Sequence, residues 1–521
     1  MQCQPGVRER GRYRLVSEVR DSAVSDGGAW DVIVVGGGNA GFSAAHAARE
    51  RGARVLLVEK APRAWAGGNS YFTAGAVRTA HGGVADLEPL LSGPDRERLA
   101  RTDLDPYSAE EFRADLAKVS RGRADTELTG LLAEESREVI GWLHRTGLRF
   151  ELMYHRQAYE VDGRFRFWGG LALGVVDGGK GMIAQHLAAA AKSGVEVRFD
   201  TPATGLLTGA AGEVRGVVVR GEEGPEELAA PAVILTSGGF EANPQMRAAH
   251  LGAGWDLALV RGTPYNTGDG IRMAIEAGAQ PYGNWSGCHS VAWDAEAPAT
   301  GDLERTNQLT RGGYPFGLVV NAEGRRFVDE GADFRNYTYA KYGAEILKQP
   351  GSTAVQLFDA KAAPLLRPEE YESEGVTRFS SDTLAGLAKE LGMETTELVA
   401  TVEEFNASVT GGRFDPTVKD GKRTEGISPA KSNWAQPLDT PPFQAYPVTC
   451  GITFTFGGVR IDPEARVLDT TGRQVRGLYA AGELVGGLFY FNYPGGSGLT
   501  AGSLFGRRAG YAAVADRAPR G

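Results

Sequence analysis

Near its N-terminal end the chain carries Gly36-Gly37-Gly38-Asn39-Ala40-Gly41, which fits G-x-G-x-x-G, and Glu59 follows shortly after. These residue types in this order can hold a dinucleotide. Gly36 permits a tight turn, Gly38 lets a pyrophosphate approach the backbone, and Gly41 lets a helix pack closely on a strand. A helix starting there offers unpaired N–H groups and a positive dipole end to phosphates. Glu59 can accept the hydroxyl protons of a ribose.

The elements needed to place these residues are legible around them. Asp31-Val32-Ile33-Val34-Val35 is a short β-branched run, as expected of a strand buried on both faces. Small residues (Ser43, Ala44, Ala45, Ala47, Ala48) then predict a helix ending near Gly52, and a second strand, 54–58, delivers Glu59. This order does not by itself choose between NAD and FAD. Order is expected to begin at Trp30. Residues 1–28 are polar and arginine-rich, without an apolar core, and read as a disordered leader rather than a secretory signal.

The bulk properties narrow the field. A chain of 521 residues is expected to form two packed regions. Its 73 glycines are about twice the usual share and imply many places where backbone meets a ligand closely. A net charge of −9 argues against nucleic acid as a partner. Cys3, Cys288 and Cys450 lie far apart, so neither a disulfide scaffold nor a metal site is expected. No apolar run approaches the roughly 18 residues that span a bilayer, and a cytoplasmic location is expected.

The segment Ala66-Gly67-Gly68-Asn69-Ser70-Tyr71-Phe72-Thr73-Ala74-Gly75 resembles the "GGNS…AG" loop of the fumarate reductase and succinate dehydrogenase flavoprotein superfamily. The resemblance continues over about residues 29 to 515. Thr201-Pro202-Ala203 resembles the segment whose backbone contacts adenine. Val233 to Phe240 looks like the family's "ATGG" strand and turn, with Gly238 within it. Asn266-Thr267-Gly268-Asp269-Gly270 matches "TGDG", and Gly477 to Glu483 matches "GLYAAGE". The likeness implies FAD as cofactor. It implies contacts from Gly36, Gly38, Asn39, Ala40, Gly41, Glu59, Lys60, Gly68, Asn69, Ser70, Ala74, Gly75, Ala203, Gly238, Asp269 and Glu483. The turn leading into Ser497-Gly498-Leu499 is expected to start a helix whose N–H groups face the flavin pyrimidine. Members with covalent flavin have histidine where Asn69 stands, so non-covalent FAD is expected.

The implied fold class is α/β (α+β overall): a Rossmann-like FAD-binding domain, 29–284 and 446–515, with an inserted α+β cap, 285–445. In the cap, leucines near helical spacing between Ser381 and Val409, broken at Leu391-Gly392, predict two helices. The polar stretch from Gly411 to Asn433 is expected to be a surface loop.

In this superfamily a cap arginine after the "RF.NE" stretch transfers a proton while flavin N5 exchanges hydride. Arg325 to Arg335 matches with one extra residue, which selects Arg335. A guanidinium normally stays protonated, so Asp333 or Glu330 is expected to relay the proton. His289 matches a substrate-binding histidine, and Arg311 lies near the family's proton-pathway arginine, although the spacing differs. Two departures bear on substrate. Phe454 replaces the second substrate histidine, and Tyr493 replaces the carboxylate-clamping arginine, which argues against fumarate or succinate. Several stretches, among them Phe167 to Leu171, Arg261 to Asn266, Asp333 to Tyr339 and Phe489 to Tyr493, resemble tricarballylate dehydrogenases. The Tyr-Pro-Gly at Tyr493 echoes ketosteroid dehydrogenases, where tyrosine polarises a carbonyl. The implied activity is dehydrogenation of a polycarboxylate, tricarballylate to cis-aconitate first. Alternatives are α,β-dehydrogenation of a carbonyl compound and reduction of an unsaturated acid. The expected partners are the small carboxylate or carbonyl substrate and a separate electron-acceptor protein.

Overall fold

The computed structural model describes residues 30–93, 95–221 and 224–516; the expected leader, 1–28, lies outside them. Six strands form one sheet: β1 (Val32–Val35), β2 (Val55–Val58), β3 (Glu196–Arg198), β4 (Val233–Leu235), β5 (Arg466–Leu468) and β6 (Gln474–Ala480). Their spatial order is β5-β6-β4-β1-β2-β3. Every pairing is parallel except the edge pair of β5 with β6, and Ile33 stands beside both Val233 and Leu56. β1 and β2 are buried throughout, which explains their unbroken aliphatic character. Because β1, β2, β4 and β6 all point the same way, Gly36, Glu59, Thr236 and Ala481 emerge along one edge of the sheet, the edge where such folds bind ligands.

Two helices close over that edge. α1 (Asn39–Glu50) follows the glycine turn, and α2 (Ser497–Ala515) packs on it. The approach depends on glycine: a Cβ added at Gly506 would lie 2.4 Å from the carbonyl oxygen of Ala40, and one at Gly41 only 2.0 Å from that of Gly36.

A second sheet is built on two long antiparallel strands, Pro281–Asp294 and Phe443–Val459. Their register sets His289 beside Phe454, next to a register shift. Thr353–Phe358 and Leu318–Asn321 extend this sheet. Helices Leu384–Glu390 and Thr395–Ser408 form the expected pair, separated by a turn with Gly392 at φ +67. They bury Leu387, Leu398, Val402 and Phe405 against Leu318 and Leu357 in a core separate from that under the first sheet. Both expected domain boundaries fall inside the two long strands.

The stretch from Gly411 to Asn433 is not simply a surface loop. Lys431 is 1% exposed and donates to the carbonyl of Gly317 at 2.7 Å. A polar run is pinned inward here because the buried ammonium finds an acceptor. Among the described residues no helix is long and apolar enough to cross a membrane.

Candidate active site

A continuous cavity, with about 1720 Å³ of empty space partly open to solvent, runs along the sheet edge and under the second sheet. At one end Glu59 is nearly buried. Its Oε2 accepts the Gly37 N–H at 2.6 Å and its Oε1 the Ala61 N–H at 2.8 Å. Burial lifts the Glu59 carboxyl above the ordinary carboxylate range, opposed by those N–H groups and by Lys60. Lys60 Nζ donates to Thr267 Oγ1 at 2.6 Å and to Asp269 Oδ2 at 2.8 Å. Burial acts to raise Asp269, but the hydrogen bonds from Lys60 and Thr267 outweigh it and hold Asp269 low.

The N-termini of α1 and α2 both meet this cavity, through Gly38, Asn39 and Ala40 and through Gly498 and Leu499; the N-cap of each is a glycine, and in α1 the Asn39 N–H donates to Ser70 Oγ at 3.1 Å. Helix N-termini present N–H groups and a positive dipole end, which suits a pyrophosphate at one and an electron-rich ring oxygen at the other. Asn39 joins the two helices, its Nδ2 donating to the Leu499 carbonyl at 2.8 Å. With the buried Glu59 carboxyl beside it, this donor set fits a dinucleotide.

Further along, Asn69 is fully engaged by protein. Its Nδ2 donates to Glu241 Oε1 and to the Thr453 carbonyl, both at 2.6 Å, and its Oδ1 accepts the Thr263 N–H at 2.8 Å. A carboxamide so held offers no nucleophilic nitrogen to a flavin.

Beyond Asn69 the cavity continues into a chamber lined by residues of the second sheet, His289 and Phe454 among them. His289, 1% exposed, sits edge-on to the rings of Tyr339 and Tyr493, 4.9 Å from each, and neither of its ring nitrogens has a partner. Burial, reinforced by Arg261, drives its pKa well below the ordinary value, so the ring is neutral. The hydroxyls of Tyr339 and Tyr493 lie 2.7 Å apart, and Phe454 stacks on Tyr493. Burial pushes Tyr493 well up, so it is a protonated donor.

Arg335 lines the chamber. Its Nη1 lies 3.8 Å from Glu370 Oε1, and its guanidinium stands over the ring of Trp168. Burial lowers its pKa while Glu370 raises it. Glu370, fully buried, also receives Arg156 at 2.8 Å, Arg367 at 3.0 Å and the Gly312 N–H at 3.1 Å. Arg261 faces the same chamber. It donates to Thr453 Oγ1 and to Asn307 Oδ1, both neutral, its Nε has no partner, and it forms no ion pair among the described residues.

Most of the expected residues meet at this cavity: Gly36, Gly38, Asn39, Ala40, Glu59, Lys60, Gly68, Asn69, Ser70, Ala74, Ala203, Gly238, Asp269, His289, Arg335, Glu483, Tyr493, Gly498 and Leu499 all line it. Gly41, Gly75 and Ser497 stand behind the wall. Gly41 packs on Gly36, Gly75 on Gly178, and the Ser497 hydroxyl donates to the Pro494 carbonyl.

Arg311 is not in the chamber. It is fully buried in the second sheet's core, paired with Asp294 and donating to the carbonyls of Gln308, Thr310 and Glu370. Nor do Asp333 and Glu330 serve Arg335: Asp333 pairs with Lys118 and Lys419, and Glu330 with Arg326 at 2.6 Å. Removing one member of a buried pair costs about 3–5 kcal/mol. Arg311→Leu is accordingly expected to lower the unfolding free energy by about that amount in denaturant titration. Its rate of flavin reduction per folded molecule should be unchanged.

Glu370, Arg261, Arg156, Glu241 and Tyr339 went unassigned in the sequence. Arg261 and Tyr339 lie in stretches that resemble a relative, but Glu370 follows Arg367-Pro368-Glu369, a run with no motif. Only the fold brings it to Arg335.

Residues 31–499 match the family described as FAD binding domain. A probable fumarate reductase, Ifc3, of Shewanella frigidimarina is 31% identical over 92% of this chain and 74% of its own length. The 4-oxocyclohexanecarboxylate 2-dehydrogenase of Sinomonas cyclohexanicum is 28% identical over 94% of each chain. The solved open conformation of a flavocytochrome c3 fumarate reductase superposes with a TM-score of 0.69 at 28% identity, over 93% of this chain and 78% of that one. With two helix N-termini and a buried acid at the sheet edge, and a family match running nearly from β1 to the start of α2, the chain belongs to the FAD-binding oxidoreductases of the fumarate reductase and succinate dehydrogenase flavoprotein superfamily, and FAD is its cofactor.

Proposed function

We propose that this oxidoreductase dehydrogenates adjacent carbons of a carboxylate-bearing substrate, with tricarballylate, giving cis-aconitate, as the first candidate. The observation that carries the reading is Arg261: a buried cation facing the chamber with only neutral partners. Such a charge is costly unless an anion meets it, and a substrate carboxylate supplies one. An apolar ketone leaves it unpaired.

FAD, when bound, supplies the hydride acceptor at N5. The chain's own residues do the rest. Arg261 and His289 hold the substrate carboxylate, and Tyr493 donates to a second oxygen. Arg335 takes the proton from the carbon next to the one losing hydride, as it passes its own proton to Glu370. The substrate thus loses one hydride and one proton, and a C=C bond forms.

Mixing the protein anaerobically with a panel of polycarboxylates and ketones tests the reading. Tricarballylate or a related acid is expected to bleach the visible flavin band. Bleaching by ketones alone overturns it. A second reading, dehydrogenation next to a carbonyl, draws support from the Tyr339–Tyr493 hydroxyl pair, a donor arrangement suited to a carbonyl oxygen. The Sinomonas relative is named for a substrate that carries both a ketone and a carboxylate.

At the cofactor's other end, Glu59→Ala removes the ribose acceptor and frees the Gly37 N–H. Hydrogen bonds to a charged group are worth about 1.5–3 kcal/mol. FAD affinity, followed by the fluorescence of released flavin, is expected to fall about 10- to 100-fold.

A further inference from the structure

Behind the wall that carries Asn69 and Glu483, a second carboxyl group is buried with no cation on it. Glu241 follows the turn after β4 and is fully buried. Its Oε1 accepts the amides of Asn69 and Asn266, each at 2.6 Å, and its Oε2 has no donor. Its carboxyl is in hydrogen-bonding contact with that of Glu483. Glu483 Oε1 in turn accepts the Thr455 N–H at 2.7 Å and the Thr455 hydroxyl at 3.2 Å. Both amide carriers and Glu483 line the cofactor cavity, whereas Glu241 does not.

Two carboxyl groups in contact cannot both be ionised at ordinary cost. The other titratable groups around the pair do not relieve it. Arg247 spends its guanidinium on backbone carbonyls, those of Glu241, Trp255, Asp256 and Ala258. The Cys288 and Cys450 thiols are held neutral by burial.

We infer that Glu241 is a protonated positioning residue for the cofactor: its O–H donates to Glu483 while its carbonyl oxygen gathers Asn69 and Asn266. One proton so ties four chain segments, at 69, 241, 266 and 483, into a single wall. Losing it sets two negative charges in contact, spreads the wall and weakens FAD retention. Burial moves the Glu241 carboxyl well above its ordinary range and Glu483 to about 6. The wall is accordingly intact while Glu241 keeps its proton, at low and neutral pH, and opens as pH rises further and Glu241 is deprotonated beside an already ionised Glu483. The inference rests on FAD being the cofactor and on nothing about the substrate.

The test follows flavin release by fluorescence in the holoenzyme as a function of pH, with Glu241→Gln beside the wild type. Glutamine keeps a donor toward Glu483 and an acceptor toward the asparagines but cannot titrate. Wild-type release is expected to rise on the alkaline side by about tenfold per pH unit, the slope of one linked proton. The variant should stay flat and near the wild type's neutral value. Equal pH dependence in the two proteins overturns the inference, as does a flat wild-type profile. Should Glu241→Gln fail to fold, infrared difference spectra of the wild type decide the matter. A protonated-carboxyl stretch must be present at neutral pH and vanish as flavin is released; its absence at neutral pH overturns the inference.

Discussion

An Arg335→Gln variant is expected to fold, bind FAD and stay yellow, yet reduce its flavin about 100- to 10,000-fold more slowly than wild type with the substrate that bleaches the latter. The range is that of a positioned general acid or base. Glutamine is shorter than arginine but keeps part of its stem and a neutral amide, and gives up the hydrogen bond to the Arg156 carbonyl. What it cannot do is accept a proton and hand one to Glu370. The loss should appear in the single-turnover rate and scarcely in substrate affinity. It should also flatten the pH profile of flavin reduction. Anaerobic stopped-flow absorbance measures all three. A variant reducing its flavin at the wild-type rate would place the proton acceptor elsewhere, with the Tyr339–Tyr493 pair next in line.

Arg261→Met is expected to have the opposite signature. Methionine replaces the alkyl stem without the charge, so the substrate carboxylate enters a chamber lacking its counter-ion. Truncating one side of a buried charge pair typically costs about 2–5 kcal/mol. That predicts a fall in kcat/KM of about 30- to 5,000-fold, mostly through KM. The substrate-free protein should not lose melting temperature, because the variant removes a buried cation that has only neutral partners. Loss of stability together with unchanged KM would make Arg261 a structural residue.

Arg311 is the contrasting case and explains what the sequence could tell. Resemblance sets it near the family's proton-pathway arginine although the spacing differs, but the fold turns it toward Asp294 at the end of the strand Pro281–Asp294. A charged residue's partner is a tertiary fact that spacing cannot supply. The dinucleotide end was legible because its demands are local. A turn with Gly36 at φ +107, a helix packed against Gly41 and an acid after a buried strand are all written within one stretch. The two cap helices were legible for the same reason, through periodicity and the Gly392 turn.

The chamber was only half visible. Arg335, His289 and Tyr493 sit in stretches that resemble relatives, whereas Glu370 converges on Arg335 from a run that carries no pattern. Asp333 and Glu330, the nearest acids in sequence, are spent on Lys118 and Arg326. The same holds for Glu241. Nothing in its neighbourhood announces a carboxyl group that meets Glu483 from the other end of the chain. Polar composition misled in the stretch from Gly411 to Asn433, because a buried lysine with a carbonyl acceptor looks, in sequence, like any exposed one.

On this reading the chamber couples loss of a C–H bond in an acid to reduction of the flavin. Product analysis of the anaerobic half-reaction tests it most directly: stoichiometric protein and tricarballylate, quenched after the visible band has bleached and examined by NMR. One equivalent of cis-aconitate per flavin reduced is the expected result. Bleaching without an unsaturated acid, or an unbleached flavin with every carboxylate tried while a ketone is desaturated, would contradict it.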